Sequence, residues 1–334
     1  MRWKVIRWIV LLLICLLLTP TFLSVSASNS IRPTIFVSKN AEGDYSTINE
    51  AIDNAPEGAI IYIAEGCYDE CININKKIIL IGRDTLKTII NPISVKNAYA
   101  IRLGAPGVEV KNLTVKNGAP GIYTTGIKIT SSGIKLENCL VENTPVGIAI
   151  WSSENIIENC SFIGCDDEGI ALIGGTTRKC ERNQIKNCSF YSNCDGIELQ
   201  YSSYNLITDC TFKENYHTGI DAIREENNNN TIAYCTITNN NVHGIYLSAS
   251  SENKIIRCDI TENRDGNIYT DGESVNNEII LPITSNNEVI EQNFITSNTP
   301  QYYGKTQENE DSKSSPLKNI FDIFSSFIAS IFKF

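Results

Sequence analysis

The sequence predicts an all-β fold: a single-stranded right-handed parallel β-helix solenoid of about 9–10 coils with an N-terminal capping helix. Two observations carry this. A pattern of asparagine, isoleucine, cysteine and Gly-Ile recurs at steps of 21 to 28 residues, and self-similarity at such a period marks a solenoid. Ile, Thr, Asn and Gly are abundant while helix formers are scarce, a balance that favours strands and tight turns.

The first element is a targeting segment. Arg2, Lys4 and Arg7 precede an apolar run from Ile9 to Leu18, Pro20 breaks the run, and Val25-Ser26-Ala27 offers small residues to a peptidase. Residues 1–27 therefore read as a secretory signal peptide, with an uncleaved anchor as the alternative. That reading places the mature chain outside the cell, secreted or on the cell surface. Removing the segment lowers the basic residues from 28 to 25 against 38 acidic ones, a net charge near −13. No basic stripe remains, which argues against nucleic acid as a partner. An anionic sugar would need a local basic or metal site to offset that field.

Next comes a short helix over Thr47 to Ala55. Ile48, Ala51, Ile52 and Ala55 make an apolar face, Thr47 with Glu50 fits a capping box, and Pro56-Glu57-Gly58 stops it. A solenoid exposes an apolar cross-section at its end, and this helix is the natural cap. Strands are expected at Ile60–Ala64, Ile72–Ile74 and Ile78–Ile81, opening a β-helix domain that spans 34–299.

The repeat aligns on Cys160, Cys188, Cys210, Cys235 and Cys258. Five residues before each stands Asn155, Asn183, Asn205, Asn230 or Asn253. Three before each stands an isoleucine, from Ile157 to Ile255. Two after each stands Phe162, Phe190, Phe212, Ile237 or Ile260. A second asparagine follows at Asn193, Asn215, Asn240 and Asn263, and then Gly-Ile, from Gly169-Ile170 to Gly244-Ile245. About 22 residues suit three short strands joined by bends, with adjacent coils paired as parallel strands about 4.8 Å apart. Each repeat position then becomes a column. The isoleucine and the cysteine differ in parity, so both face inward only if the chain bends between them. Asparagine suits bends, because it tolerates the left-handed region and its amide can bond the next amide in the stack.

Loss of Cys15 with the signal leaves 11 of the 12 cysteines, an odd number. Their columnar spacing favours a reduced core ladder over disulfides, since stacked side chains point in parallel. No Cys-x-x-Cys pair supports zinc, and no metal-ligand set is read from the motifs. Beyond the domain, residues 300–316 form a polar linker. Residues 317–334 form an amphipathic C-terminal helix with Leu317, Ile320, Phe324, Phe327, Ile328 and Ile331 on one face. It is a poor membrane span. Peripheral membrane contact, a partner, or a return to cap the solenoid remain open for it.

The run from Asp44-Tyr45-Ser46-Thr47-Ile48, then Gly66-Cys67-Tyr68-Asp69-Glu70, then Lys77 to Gly82, resembles the N-terminal section of the pectin-lyase-like superfamily. The Asn-x-Ile-x-x-Cys and Gly-Ile repeats are similar to its NosD-like branch of carbohydrate-binding and sugar-hydrolase (CASH) proteins. The resemblance covers about residues 34 to 299 and rests on structural positions, so it implies the fold more strongly than an activity. The Asp-Phe-[Ile/Val]-Phe-Gly motif of pectin methylesterases is absent. Of the polygalacturonase motifs, only Asp166-Asp167 and the approximate Val242-His243-Gly244 are present.

The strand after each glycine sets side chains at fixed offsets. One before Gly stand Glu168, Asp195, Thr218 and His243; two after stand Glu198, Asp221 and Tyr246; four after stand Trp151 and Gln200. The only histidines, His217 and His243, fall in neighbouring coils. Glu198 with Asp221, and Glu168 with Asp195, are expected to stack one coil apart. Such pairs could share protons in acid–base hydrolysis, could hold Ca²⁺, or could be a solvated acidic face. Trp151, Tyr201 and Tyr246, with Arg224 and Gln200, are candidates to hold a sugar. Two functions follow. One is a surface protein that binds polysaccharide, or another cell-surface component, or serves as a scaffold. The alternative is a polysaccharide lyase, hydrolase or epimerase using an exposed carboxylate–histidine face. Metal delivery of the NosD type ranks last, for want of ligands.

Overall fold

The computed structural model describes residues 32–280 apart from 41, 95–98, 117–123 and 225, together with Pro282 and the backbone of 293–295 and 301–303. The predicted signal peptide and C-terminal helix lie outside the described residues, as does the predicted linker beyond Gln301–Tyr303. From Pro33 onward the chain winds into a parallel solenoid of about ten turns. Each coil gives one strand to each of three sheets, of 12, 9 and 10 strands. In one coil Ile156–Glu158 joins the first sheet, Ser161–Ile163 the second and Glu168–Ile173 the third. Two strands depart from the parallel rule. Asn293–Ile295 pairs antiparallel with Asn277–Ile280, and Gln301–Tyr303 with Gly266–Thr270.

The register matches the sequence columns. Ile157, Ile185, Ile207, Ile232 and Ile255 are successive partners in the first sheet. In the second sheet Phe162, Phe190 and Phe212 stack with ring centroids 4.9 and 4.6 Å apart. Ile148, Ile170, Ile197, Ile220 and Ile245 line up in the third. All are buried, and each fully buried aliphatic or Phe side chain contributes about 1.5–3 kcal/mol by leaving water.

The asparagines prove to be ladders inside the bends. Asn155 Nδ2 donates to Asn183 Oδ1 at 2.8 Å, Asn183 Nδ2 to Asn205 Oδ1 at 3.1 Å, and Asn205 Nδ2 to Asn230 Oδ1 at 3.0 Å. A second ladder runs from Asn193 through Asn215 and Asn240 to Asn263. The left-handed conformation sits one residue earlier. Arg182, Tyr204 and Asn229 precede the first ladder, and Ser192, Glu214 and Asn239 the second, all with φ between 49° and 59°. Asn159, Asn187 and Asp209 do the same before the cysteines, supplying the bend that lets isoleucine and cysteine both face inward.

No disulfide joins the described cysteines. The ladder thiols lie against carbonyls of the preceding coil, as Cys188 Sγ does 3.6 Å from Ile157 O. The neighbouring Cys160 thiol, together with burial, holds Cys139 well above the ordinary thiol range. At the N-terminal end, helix α1 (Ile48–Asn54) buries Ile48, Ala51 and Ile52. Thr47 caps it by accepting from Glu50 N. The Glu70 carboxylate adds a second cap, accepting from the backbone N–H of Ile48 and of Asn49, each at 2.9 Å, a favourable place for negative charge.

Candidate functional site

The outer face of the third sheet carries one column in which successive coils place Asn73, Arg102, Lys128, Ala149, Ala171, Glu198, Asp221, Tyr246 and Tyr269. Along it the chemistry changes from cationic to small, to acidic, to aromatic. The strand Asp195–Gln200 sits at the centre.

Around that strand Asp167, Glu168, Asp195, Glu198 and Asp221 converge. Glu168 pairs with Asp195, and Glu198 with Asp221, in adjacent coils. Sequence reasoning made this an exposed face. The structure closes it: Glu198 is 5% exposed, Asp221 3% and Asp195 0%. One side chain per coil packs each carboxyl between its neighbours, and Asp195 is buried where its strand opens. Asp195 Oδ1 accepts the backbone N–H of Thr218 at 2.7 Å and meets His217 Nδ1 at 2.9 Å. Gln200 Nε2 donates to Glu198.

Burial makes these acids hard to ionise, and their mutual repulsion adds to it. Desolvation, with the charges of Asp167 and Glu198, holds Glu168 well above the usual carboxylate range. Burial and the charges of its neighbours push Glu198 up to about 8 and Asp167 up to about 7. Burial likewise raises Asp221, helped by the charges of Asp195 and Glu198. His217 is disfavoured as a cation by burial, but the bond to Asp195 and the surrounding acids outweigh this and raise it. His243 goes the other way, lowered chiefly by burial.

At the cationic end, Trp151 lies between Lys128 Nζ, 4.1 Å from the ring centroid, and Arg178 Cζ, at 4.4 Å, each a cation–π contact. Arg102 Nη1 donates to Asn73 and Asn75. Burial, with the charges of Arg102 and Arg178, lowers Lys128. Among the described residues, no carboxylate forms an ion pair with any of these three cations. At the aromatic end, His243 stacks on Tyr246 and Tyr269, with centroids 5.6 and 5.4 Å apart.

Of the residues singled out from sequence, Glu168, Asp195, Glu198, Asp221, His217 and Gln200 come together. Trp151 lies towards one end of the face, and His243 and Tyr246 towards the other. Tyr201 and Arg224 stand in left-handed bends just beyond their strands, and no ion pair joins Arg224 to the acids. Four contributors were missed, among them Arg102, which Ala100-Ile101 places in the same frame with alanine in the glycine position. Asp167 was legible as the middle of Asp166-Asp167-Glu168. Lys128 was legible from Gly126-Ile127-Lys128, which continues the Gly-Ile frame upstream. Arg178 had no signal, because it lies in an insertion that breaks the repeat.

A family model described as "Periplasmic copper-binding protein (NosD)" matches residues 52–229, more than half of the chain. One described as "Right handed beta helix region" matches 181–312. A pectinesterase of Petunia integrifolia is 28% identical over 153 residues, 42% of this chain and 36% of that protein. One of Daucus carota is 25% identical over 157 residues, 42% and 49% of the two chains. The matches to curated pectinesterases span between 18% and 53% of their lengths. The solved structure of a pectin methylesterase from carrot superposes with a TM-score of 0.55 at 18% identity, covering 78% of this chain and 91% of that one, a likeness of fold.

Proposed function

The chain belongs to the NosD family of right-handed parallel β-helix proteins, and from that premise we propose that it acts on a polysaccharide with anionic sugars, outside the cytoplasm. The observation that carries this is the single column that sets Arg102 and Lys128, then two alanines, then Glu198 and Asp221 along one face. The cations with Arg178 supply the local basic site that an acidic chain needs to hold a sugar carboxylate. Ala149 and Ala171 leave room for a ring beside Trp151. Glu168, whose charged form is disfavoured by burial, lies beside Glu198, pushed up to about 8 by burial and neighbouring charge. A neutral acid beside an ionisable base is the division of labour that glycosidic cleavage requires. The similarity to pectinesterases, which act on a polysaccharide, supports this class. The missing Asp-Phe-[Ile/Val]-Phe-Gly motif turns it from ester hydrolysis towards the glycosidic bond. An exported chain is consistent with a periplasmic family.

Copper fits this face only in part. Asp195, His217 and Asp221 offer one imidazole and two carboxylates, donors that suit a divalent ion. Asp195 Oδ2 and Asp221 Oδ1 are buried without a hydrogen-bond partner. The soft donors that select Cu(I) are not gathered there. The one methionine is Met1, the thiol ladder is in the core, and burial with the charge of Asp195 keeps Cys194 a thiol. A divalent ion at these residues would supply Lewis acidity. Binding and proton transfer remain the work of Arg102, Lys128, Glu168 and Glu198.

The test is a panel of acidic and neutral polysaccharides assayed for cleavage. Glu198→Gln is expected to lower the rate by about 100-fold or more, and Lys128→Ala to raise KM on acidic members alone. If no member is cleaved but some are retained on a glycan array, the protein binds without catalysis. Failure of both assays rules out carbohydrate and leaves a scaffold.

A further inference from the structure

The geometry points to a divalent cation site formed by Asp195, His217 and Asp221, for a first-row transition ion that takes mixed imidazole and carboxylate ligands. It stands independently of the polysaccharide reading. His217 Nδ1 is 2.9 Å from Asp195 Oδ1 and 3.7 Å from Asp221 Oδ2. One donor atom from each of the three residues lies within 4.8 Å of the others. Ligand atoms sharing one ion at bonds of about 2.0–2.2 Å lie no more than about 4.4 Å apart, and both His217 distances fall within that span.

The second observation is the pair of orphaned oxygens. Asp195 and Asp221 side chains are 1% and 4% exposed, yet Asp195 Oδ2 and Asp221 Oδ1 accept no hydrogen bond. Buried carboxylate oxygens without donors are costly. A cation beside His217 that takes one oxygen from each of Asp195 and Asp221 would neutralise both buried carboxylates at once. The backbone already holds the donors in place. Asp195 opens its strand, Asp221 lies in the partner strand Ile220–Ala222, and His217 N donates to Cys194 O at 2.8 Å. Such a site forms without loop movement. The His217 side chain, 32% exposed, gives the ion a way in. An imidazole in the set argues against Ca²⁺, which takes six to eight oxygens, and the lack of thioether or paired thiolates argues against Cu(I).

The experiment titrates the full-length, tag-free, chelator-treated protein with Zn²⁺ by calorimetry and with Cu²⁺ by electron paramagnetic resonance. One ion per chain is expected, with nitrogen coupling from one imidazole on Cu²⁺. Asp195→Asn, Asp221→Asn and His217→Gln are each expected to weaken binding by at least about 10-fold, and His243→Gln to leave it unchanged. Far-ultraviolet circular dichroism checks that each variant folds. If the buried aspartates do not tolerate substitution, the half-exposed His217→Gln carries the test. No binding, binding indifferent to His217→Gln, or equal loss in His243→Gln overturns the site.

Discussion

Asn183 makes four bonds to nitrogen and oxygen partners with one amide, besides the contact of its Nδ2 with Cys180 Sγ at 3.5 Å. Its Oδ1 accepts from Asn155 N at 3.0 Å and Asn155 Nδ2 at 2.8 Å, and its Nδ2 donates to Ser152 O and Asn205 Oδ1, each at 3.1 Å. Asn183→Ala leaves several buried groups unpaired, each costing about 1–3 kcal/mol. A urea unfolding curve should show a loss of about 3 kcal/mol or more; a loss below about 1 kcal/mol would mean that water replaces the ladder. Asp271 offers a pH test. Burial pushes its carboxyl up, but the hydroxyls of Ser248 and Ser274 and the N–H groups of Ala249 and Glu273 outweigh this and lower it below its ordinary 3.8. A carboxyl lowered on folding stabilises above its unfolded value and stops doing so as pH falls through the folded one. Asp271→Asn should therefore lower Tm at pH 7, with the gap to the parent closing below pH 3.8.

At the scale of the element, the start of the third-sheet strands depends on close approach at their glycines. A Cβ on Gly196 would meet Gly219 O at 2.4 Å and Phe212 Cδ1 at 2.5 Å, and one on Gly169 would meet Gly196 O at 2.8 Å. These contacts are coil against coil, so the strands would have to part. Gly196→Ala should cost about 1–3 kcal/mol or more, read as a fall in Tm. Gly175→Ala, where a Cβ meets nothing within 4 Å, should stay within about 0.5 kcal/mol of the parent. Equal effects would show that backbone entropy rather than the clash selects glycine. Phe190, stacked between Phe162 and Phe212, should cost about 3–5 kcal/mol as Phe190→Ala.

For the whole molecule, the thiols report on the solenoid. Cys67 is exposed, Cys71 and Cys194 are partly so, and the other eight described cysteines are buried. A thiol reagent should modify Cys67 first, then Cys71, and reach Cys194 and the buried thiols only on unfolding; early reaction of ladder cysteines would mean that single coils open on their own.

The columns and the capping helix were legible in the residues. A coil repeats its environment, so selection for packing writes the same residue at the same offset. The helix over 48–54 and the strand at 72–74 fall where Thr47, Pro56 and the isoleucines place them. Glu168, Asp195, Glu198 and Asp221 were legible too, because the Gly-Ile frame numbers the outer face. Their burial was not. An offset says which side chains are neighbours in a column, but not how far the next coil and an insertion close over them. His217 meets Asp195 across a coil boundary at a bend, and Arg178 reaches Trp151 from an irregular loop, so neither contact has a period to betray it. The sequence by itself determined the solenoid and its register, since those follow from repetition. Only the tertiary structure decided which acids lose water and which cations sit away from every described carboxylate, because both depend on distances between coils that no spacing along the chain records.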